Sequence, residues 1–212
     1  MKRIILLSLA LILAGTTYLP ARNIPGDTVI NTNKEKIRIG VKAGGQVSAI
    51  NNIHHSSHRR VPGLTAGIVM QIPLQKTGFT RFFFAPELLY SQRGEKGQPW
   101  NIQQKEKFYH DYLSLPLLFR YYPDRHRSFF LESGPELSYA IHQQNTDKDW
   151  SKPNRFDLGA GIGGGWRFGG RKNYEIGARL YVGFLDMHPD TKGWNSNISS
   201  ALTFTYLFEK YD

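Results

Sequence analysis

The sequence lacks cysteine, so it offers no disulfide, no thiolate metal site and no lipid-modified N-terminal cysteine. Acidic residues are scarce, 17 Asp and Glu against 27 Lys and Arg, and the formal net charge is +10. Beyond the N-terminal segment, no apolar run approaches the ~20 residues of a membrane-spanning helix. A convincing helical period is missing as well. Hydropathy alone therefore indicates a soluble protein, but it is not a reliable guide for a protein of alternating strands, whose windows average to polar.

The first residues have the pattern of an export signal. Lys2 and Arg3 precede an apolar segment, residues 4–14, of secretory length. We therefore predict a signal peptide over residues 1–21, with cleavage after Thr16 or after Ala21 left open. Residues 22–36 are interpreted as a flexible lead-in and residues 37–212 as the folded domain. An export signal without cysteine indicates secretion from a bacterial cytoplasm.

The stretch FFFAPELLYSQRG, residues 82–94, places a glutamate at the centre of an apolar, aromatic segment. Read with a period of two, it has one apolar face and one face that carries Glu87. An unpaired carboxylate is costly to bury in an ordinary core. The stretch therefore predicts a strand between lipid and an interior that accepts charge.

The same period recurs about eight times. The predicted strands are 37–50, 63–75, 79–92, 108–122, 128–142, 155–168, 174–186 and 197–208. They are longer than the strands of a typical sandwich and suit tilted strands that cross a membrane. The fold class predicted is therefore all-β: a single closed antiparallel up-and-down transmembrane barrel of about eight strands, located in the bacterial outer membrane.

The predicted links between strands alternate in length. Three are short, 75–78, 123–127 and 169–173, and four are long and polar, 51–62, 93–107, 143–154 and 187–196. Outer-membrane barrels place short turns on the periplasmic side and long loops outside. Both chain ends should then lie on the short-turn side. Three prolines, Pro86, Pro116 and Pro135, fall inside predicted strands, where we expect bulges or bends.

Charges within the strands fall on the face opposite the apolar one. An eight-stranded barrel has an interior that side chains can fill. We therefore predict an ion-pair network that plugs the lumen and serves structure, not catalysis. Its predicted members are Arg38, Lys42, Arg81, Glu87, Arg120, Glu132, Glu136, Arg155, Asp157, Arg167, Glu175 and Arg179.

Several segments, in order, carry a family resemblance. IGVKAGGQVSAI, APELLYSQRG, YLSLPLLFRYY, FLESGPELSYAI, FDLGAGIGGGWRF, IGARLYVGFLDM and ALTFTYLF resemble the PorT-like outer-membrane β-barrel family across roughly residues 37–208. The resemblance implies a small outer-membrane barrel of a Gram-negative bacterium. The family's namesake is tied to protein secretion, and no enzymatic site is carried over. One departure is the C-terminus, where four residues follow Phe208, because such barrels often end on an aromatic residue.

Signals for chemistry are weak. His54, His55 and His58 lie together in a predicted loop without acidic or cysteine ligands, so whether they bind metal is left open. The glycine run of residues 159–165 lacks the helix and the Lys-Ser/Thr of a phosphate-binding loop, and its glycines are interpreted as making room for large interior side chains. Glu132 and Glu136 are spaced too widely along one strand for a two-carboxylate hydrolase.

The functional expectation is a non-enzymatic structural or envelope-assembly protein without cofactor or metal. The expected partners are outer-membrane lipid and an envelope or secretion-system protein, with no nucleic acid. The oligomeric state stays open. The alternative is a barrel that binds or transports a small ligand. A lumen full of paired charges favours the first function, and a gap lined by aromatic and unpaired polar groups favours the second.

Overall fold

The structure, a computed structural model, describes residues 36–52, 59–74, 81–97, 106–144, 154–187 and 195–208. The chain divides into two compact units, Met1–Asn31 and Thr32–Asp212, and the described residues all lie in the second. The predicted signal peptide and lead-in fall outside them, apart from Lys36. Within the described ranges there is no helix long and apolar enough to cross a membrane.

Eight strands form one closed antiparallel barrel in which each strand pairs with its neighbours in sequence. The strand β8 closes the barrel on β1, from the pair Gly40↔Leu207 to the pair Asn52↔Asn195. Closure leaves no strand edge unpaired. The strands are β1 (Arg38–Asn52), β2 (Arg59–Pro73), β3 (Phe82–Gly97), β4 (Glu106–Tyr121), β5 (Phe129–Gln144), β6 (Phe156–Phe168), β7 (Tyr174–Gly183) and β8 (Asn195–Leu207). The predicted all-β barrel is confirmed.

Burial alternates along the strands with a period of two. On β3, Phe83 and Glu87 are buried, with 3% and 2% of their surface exposed, whereas Phe82 and Leu88 are 50% and 41% exposed. The outward face is thus the more apolar one, and the charges point inward. This arrangement is the inverse of a water-soluble barrel and fits a surface that faces lipid.

Two bands of outward aromatic side chains define the ends of this apolar surface. Across the β5–β6 ladder, Phe129 lies opposite Trp166, and ten residues further along β5 Tyr139 lies opposite Phe156. At about 3.3 Å per residue and a strand tilt of about 40°, ten residues rise about 25 Å along the barrel axis. That height matches the ~25 Å apolar band of an outer-membrane barrel.

The links at the two ends of the barrel differ less in length than predicted, with five to eight residues at one end and six to eleven at the other. The links 74–81, 122–128 and 169–173, with the start of β1 and the end of β8, define the turn end, and the links 53–58, 98–105, 145–155 and 184–194 define the loop end. The predicted long links 51–62 and 93–107 are wrong in their bounds, because β1 to β4 continue into them. The predicted short link 75–78 is also wrong in its bounds, because β2 ends at Pro73 and β3 begins at Phe82. Where a strand extends beyond the membrane its outward residues need not be apolar, so the alternation of apolar and polar residues weakens there.

The expected bulges at the three prolines are not observed. On both sides of Pro86 the β2–β3 pairing keeps one register, from Val69↔Glu87 to Ile72↔Phe84. The pairings near Pro116 and Pro135 behave in the same way. A proline removes one donor, and neighbouring bonds hold the register. The register shifts instead between Arg60 and Thr65 and between Asp111 and Tyr112, towards the loop end.

Candidate functional site

The barrel interior holds charged side chains of both signs in balance. Among the described residues, the basic side chains that form ion pairs there are Lys42, Arg93, Arg120, Arg167 and Arg179, and the acidic ones are Glu87, Glu132, Glu136, Asp157 and Glu175. Buried charges are tolerated when they are paired and hydrogen-bonded. This interior is the candidate functional site.

The centre of the interior is occupied by Glu87, Arg179 and Lys42. Arg179 on β7 donates to both carboxylate oxygens of Glu87 on β3, at 2.8 and 2.9 Å. Lys42 on β1 donates to the same carboxylate. In a closed barrel of eight strands, β3 and β7 lie on opposite walls. One ion pair therefore crosses the whole lumen.

A second set of pairs continues the network towards the turn end. Glu132 on β5 accepts from Arg179 at 2.6 Å and from Arg120 at 2.7 Å. Arg120 also binds both oxygens of Glu175, at 2.9 and 3.0 Å, and lies over the ring of Phe130. Glu132 and Glu175 thus each accept hydrogen bonds from two basic side chains. These shared carboxylates connect the central pairs to the pairs at the turn end.

Arg167 completes the network at the turn end. It donates to Glu175 at 2.7 Å and to the side-chain oxygen of Gln71 on β2 at 2.5 Å. It also donates to the hydroxyl of Tyr122. The strands β6 and β2 are again on opposite walls. The lumen is therefore crossed a second time.

A separate group of side chains lies towards the loop end. Arg93 on β3 donates to Glu136 on β5 and lies 4.3 Å from the ring centroid of Tyr181. Asp157 accepts from the Tyr181 hydroxyl and from the Asn197 amide, both at 2.9 Å. Arg93 Nη1 and Asp157 Oδ1 have no hydrogen-bond partner among the described residues. The formal charges of Arg93, Glu136 and Asp157 add up to −1. Those of the network that runs from Lys42 to Arg167 add up to +1.

A small cavity of about 30 Å³ lies between the two groups. Arg93, Glu136 and Arg179 contribute to its lining together with hydroxyl side chains such as Ser91 and Ser199. One water needs about 10–15 Å³ of such volume. The cavity can therefore hold about two waters, and it is too small for an organic solute.

The glycines of β6 provide the space for the largest interior side chains. A Cβ on Gly159 would lie 2.6 Å from the ring of Tyr181, and a Cβ on Gly165 would lie 2.6 Å from the ring of Phe130. A Cβ on Gly161 would lie 3.4 Å from Cδ of Arg179. The interpretation that this run makes room inside the barrel agrees with these distances.

Nine of the twelve predicted interior residues lie in these two groups: Lys42, Glu87, Arg120, Glu132, Glu136, Asp157, Arg167, Glu175 and Arg179. The other three, Arg38, Arg81 and Arg155, lie at the barrel ends. Arg38 and Arg81 donate to the backbone carbonyls of Lys172 and Pro123 at the turn end, each at 3.4 Å. Arg155 is exposed just before β6, which begins at residue 156. These three arginines follow the inward period of their strands. They lie at or just before the first residue of β1, β3 and β6, and therefore outside the two groups in the interior.

Sequence reasoning missed Arg93 as an interior residue, because it was assigned to the predicted loop 93–107. It is buried on β3, with 4% of its surface exposed. The available signal was its parity, because Arg93 follows Glu87, Leu89 and Ser91 at steps of two. Gln71 and Tyr181 were also not selected as site residues, although they share the inward face of their strands.

Within the described ranges, no cluster of three or more metal-ligating side chains is present. His54, His55 and His58 lie outside those ranges. Glu132 and Glu136, already judged too distant for acid–base catalysis, bind different arginines in different groups.

A closed eight-stranded barrel with an apolar outer belt, two aromatic bands and a charged interior defines an outer-membrane β-barrel. Residues 27–188 match the family described as the outer membrane protein beta-barrel domain, and the chain belongs to this family. Its location is the bacterial outer membrane. The comparison supports the barrel part of the resemblance and not a specific PorT-like assignment.

Solved outer-membrane proteins are similar to this chain at low sequence identity. Neisserial surface protein A is 15% identical, with a TM-score of 0.50, over 82% of this chain and 100% of that protein. Ail of Yersinia pestis, solved with the heparin analogue sucrose octasulfate, is 11% identical, with a TM-score of 0.48, over 82% and 100%. AlkL, solved in lipid bilayers, is 11% identical, with a TM-score of 0.48, over 91% and 99%. No curated protein matches the sequence significantly.

Proposed function

We propose that this protein is a non-enzymatic outer-membrane barrel with a lumen plugged by its own side chains, and that it serves as a structural or assembly component of the cell envelope. The observation that carries the proposal is the network from Lys42 to Arg167, which joins opposite walls once by an ion pair and once by a hydrogen bond to Gln71. A PorT-like part in protein secretion is the finer form of the proposal.

Opening this lumen would require several buried pairs to separate together. Breaking a buried pair by removing one partner costs about 3–5 kcal/mol, and Glu132 and Glu175 each bind two arginines. A pore would need these groups to be hydrated at the same time. The network therefore favours a fixed plug.

The absence of enzymatic activity is supported by how the interior carboxylates are used. Glu87, Glu132 and Glu175 each accept hydrogen bonds from two or more basic side chains. A general base needs a free path to a substrate proton. These carboxylates are committed to structural partners, and the cavity admits only water.

Planar-bilayer recording tests the plug. We expect no steady ohmic steps from the refolded wild-type protein. Replacing Arg93 and Glu136 together by serine should enlarge the cavity towards the loop end without changing the charge sum of that group, although Asp157 loses its nearby arginine. We expect no steady steps from this variant either, because the network from Lys42 to Arg167 is unchanged. The matched variant Arg155→Ser removes an exposed arginine instead. Steady single-channel steps from the wild type at the size of general pores would overturn the plug.

The assembly role is tested by capture from native membranes. A chain tagged at its C-terminus, cross-linked in growing cells, should enrich an envelope or secretion-system protein reproducibly. Deletion of the gene should then reduce the surface display of secreted proteins. Enrichment of no envelope protein, together with unchanged secretion, would contradict this role and leave the plug unaffected.

The second candidate is a barrel that binds or transports a small ligand. One observation favours it: Arg93 Nη1 and Asp157 Oδ1 lack hydrogen-bond partners among the described residues, close to a water-sized cavity. A liposome-swelling assay with small neutral and charged solutes tests this candidate. Solute entry above that of empty liposomes, and its loss in Arg93→Met, would favour transport over the plug.

A further inference from the structure

Two neighbouring turns at the turn end are strongly basic. The turn 122–128 carries Arg125 and Arg127, and the turn 169–173 carries Arg171 and Lys172. Asp124 is the single acidic residue in these two turns. Its carboxylate accepts hydrogen bonds from the backbone amides of Ser128, at 2.8 Å, and Phe129, at 3.1 Å. The four basic residues are called the basic turn surface below.

The two turns form one continuous surface. They adjoin because β5 and β6 are paired, and Lys172 Nζ donates to Ser128 Oγ at 3.0 Å. Arg125 and Arg171 are exposed, whereas Arg127 and Lys172 are half-buried. Burial lowers the pKa of Lys172, and nearby Arg167 and Arg127 lower it further against the opposite effect of Asp124. Cations that repel one another in this way would be stabilised by an added anion.

The backbone indicates that these cations are retained at a conformational cost. Arg127 has φ of 52° and Lys172 has φ of 53°, both in the left-handed region. Glycine and asparagine adopt this region far more readily than long side chains. The chain places glycine at residue 169, where φ is 88°, yet it has Arg and Lys at the two other positions. Both side chains also have contacts within the protein, because the Arg127 guanidinium lies 5.7 Å from the ring centroid of Phe83 and Lys172 donates to Ser128.

The aromatic band fixes the depth of the basic turn surface in the membrane. Phe129 and Trp166 lie side by side, with ring centroids 6.4 Å apart, where β5 starts and β6 ends. Phe168 and Tyr174 stack at 5.7 Å where the second turn joins its strands. Outward aromatic side chains mark the interface between hydrocarbon and headgroups. The basic turn surface lies just beyond them, at the level of lipid phosphates.

We propose that the basic turn surface binds anionic phospholipid headgroups of the leaflet that faces the periplasm. Short turns of outer-membrane barrels lie on that side. A phosphodiester headgroup without a compensating amine matches a cluster of cations better than a zwitterionic one does. The inference goes beyond the proposed function, because it holds whether or not the lumen is plugged.

Trp166 provides a local probe of this site. The sequence has four tryptophans, Trp100, Trp150, Trp166 and Trp194, and the other three can be replaced by phenylalanine. The full chain with Trp166 alone is reconstituted in phosphatidylcholine bilayers that contain either brominated phosphatidylglycerol or brominated phosphatidylcholine at equal fraction. Bromine quenches tryptophan fluorescence on contact, so the two quenching curves report the relative affinity of the two lipids beside Trp166.

We expect phosphatidylglycerol to bind at least fivefold more tightly than phosphatidylcholine beside Trp166. The double variant Arg127→Asn/Lys172→Asn should bring this ratio close to one, because asparagine removes both charges and still accepts positive φ. The matched double variant Arg60→Asn/Arg155→Asn removes two exposed arginines near the loop end and should leave the ratio unchanged. High salt should reduce the wild-type ratio.

A second probe position separates a local site from a general preference. Phe156→Trp with Trp166→Phe moves the probe to the other aromatic band, where we expect a ratio near one. Heat-modifiable gel migration confirms that each variant is folded. Equal ratios at the two bands, or a ratio beside Trp166 that survives Arg127→Asn/Lys172→Asn in folded protein, would overturn the proposal.

Discussion

Arg179 and Glu87 face each other across the full width of the barrel, joined by two parallel hydrogen bonds of 2.8 and 2.9 Å. The strands that carry them, β7 and β3, make no backbone contact with each other in the order of the barrel. A bidentate pair is both directional and strong. This pair therefore braces opposite walls, in addition to the hydrogen bonds within the wall.

The first prediction concerns this pair. Glu87→Gln should lower the free energy of unfolding by about 3–5 kcal/mol, because Arg179 and Lys42 lose a buried counter-charge. The measurement is urea unfolding of the protein refolded in lipid vesicles. Arg155→Gln, which removes an exposed charge, should change stability by less than about 1 kcal/mol.

A double-mutant cycle with Arg179→Gln sharpens this test. The two single changes should be non-additive, and the double variant should be less destabilised than the sum of the singles. Additive effects, or equal losses in Glu87→Gln and Arg155→Gln, would mean that the pair contributes no coupling.

The second prediction compares two glycines under the same substitution. Gly159→Ala places a Cβ 2.3 Å from the carbonyl oxygen of Val182 and 2.6 Å from the Tyr181 ring. Overpacking of this kind costs about 1–3 kcal/mol or more. Gly45→Ala meets no atom within 4 Å and should be neutral or stabilising by up to about 1 kcal/mol. The temperature at which each variant loses its folded gel mobility measures the difference, and similar temperatures would count against the packing argument.

The third prediction tests the membrane belt. Ile162 is 64% exposed and lies between the aromatic levels of Phe156 and Trp166 on β6. Ile162→Arg should cost about 2–4 kcal/mol in a lipid bilayer, and Phe156→Arg less, because the cost falls towards the interface. Unfolding in vesicles gives both values. If Ile162→Arg lowered the free energy of unfolding no more than Phe156→Arg does, the apolar belt would not be centred between the two aromatic bands.

The fourth prediction concerns pH and the turn 122–128. Burial alone would raise the pKa of Asp124, but hydrogen bonds from the backbone amides of Ser128 and Phe129 lower it overall. A depressed folded-state pKa means that the turn is stabilised above the ordinary aspartate pKa of about 3.9. This stabilisation is lost as pH falls through the folded-state value.

Amide exchange at Ser128 and Phe129, followed by NMR, measures this effect. Protection of both amides should persist down to about pH 4 and decline below it in the wild type. In Asp124→Ala it should be weak at every pH. Protection in that variant equal to the wild type would show that the carboxylate does not hold the turn.

The alternation of apolar and polar residues was sufficient to predict the barrel and most of its interior. Glu87 and Arg120 were placed on the inward face because a period of two leaves no other arrangement in a strand with one lipid-facing side. Arg93 was missed because β3 continues past the membrane, where water replaces lipid and the outward residues need not be apolar. The expectation at the prolines was wrong for a different reason, because the strands on both sides hold the register of each proline-containing strand.

The sequence by itself determined which face of each strand meets lipid, because one face had to be apolar along the span. Only the tertiary structure decided which charges meet. Glu87 is 92 residues from Arg179 along the chain, and their contact depends on how the eight strands are staggered around the closed barrel. Stagger follows from pairing between whole strands, and no local pattern encodes it. The closeness of the turns 122–128 and 169–173 has the same origin, because it depends on the pairing of β5 with β6.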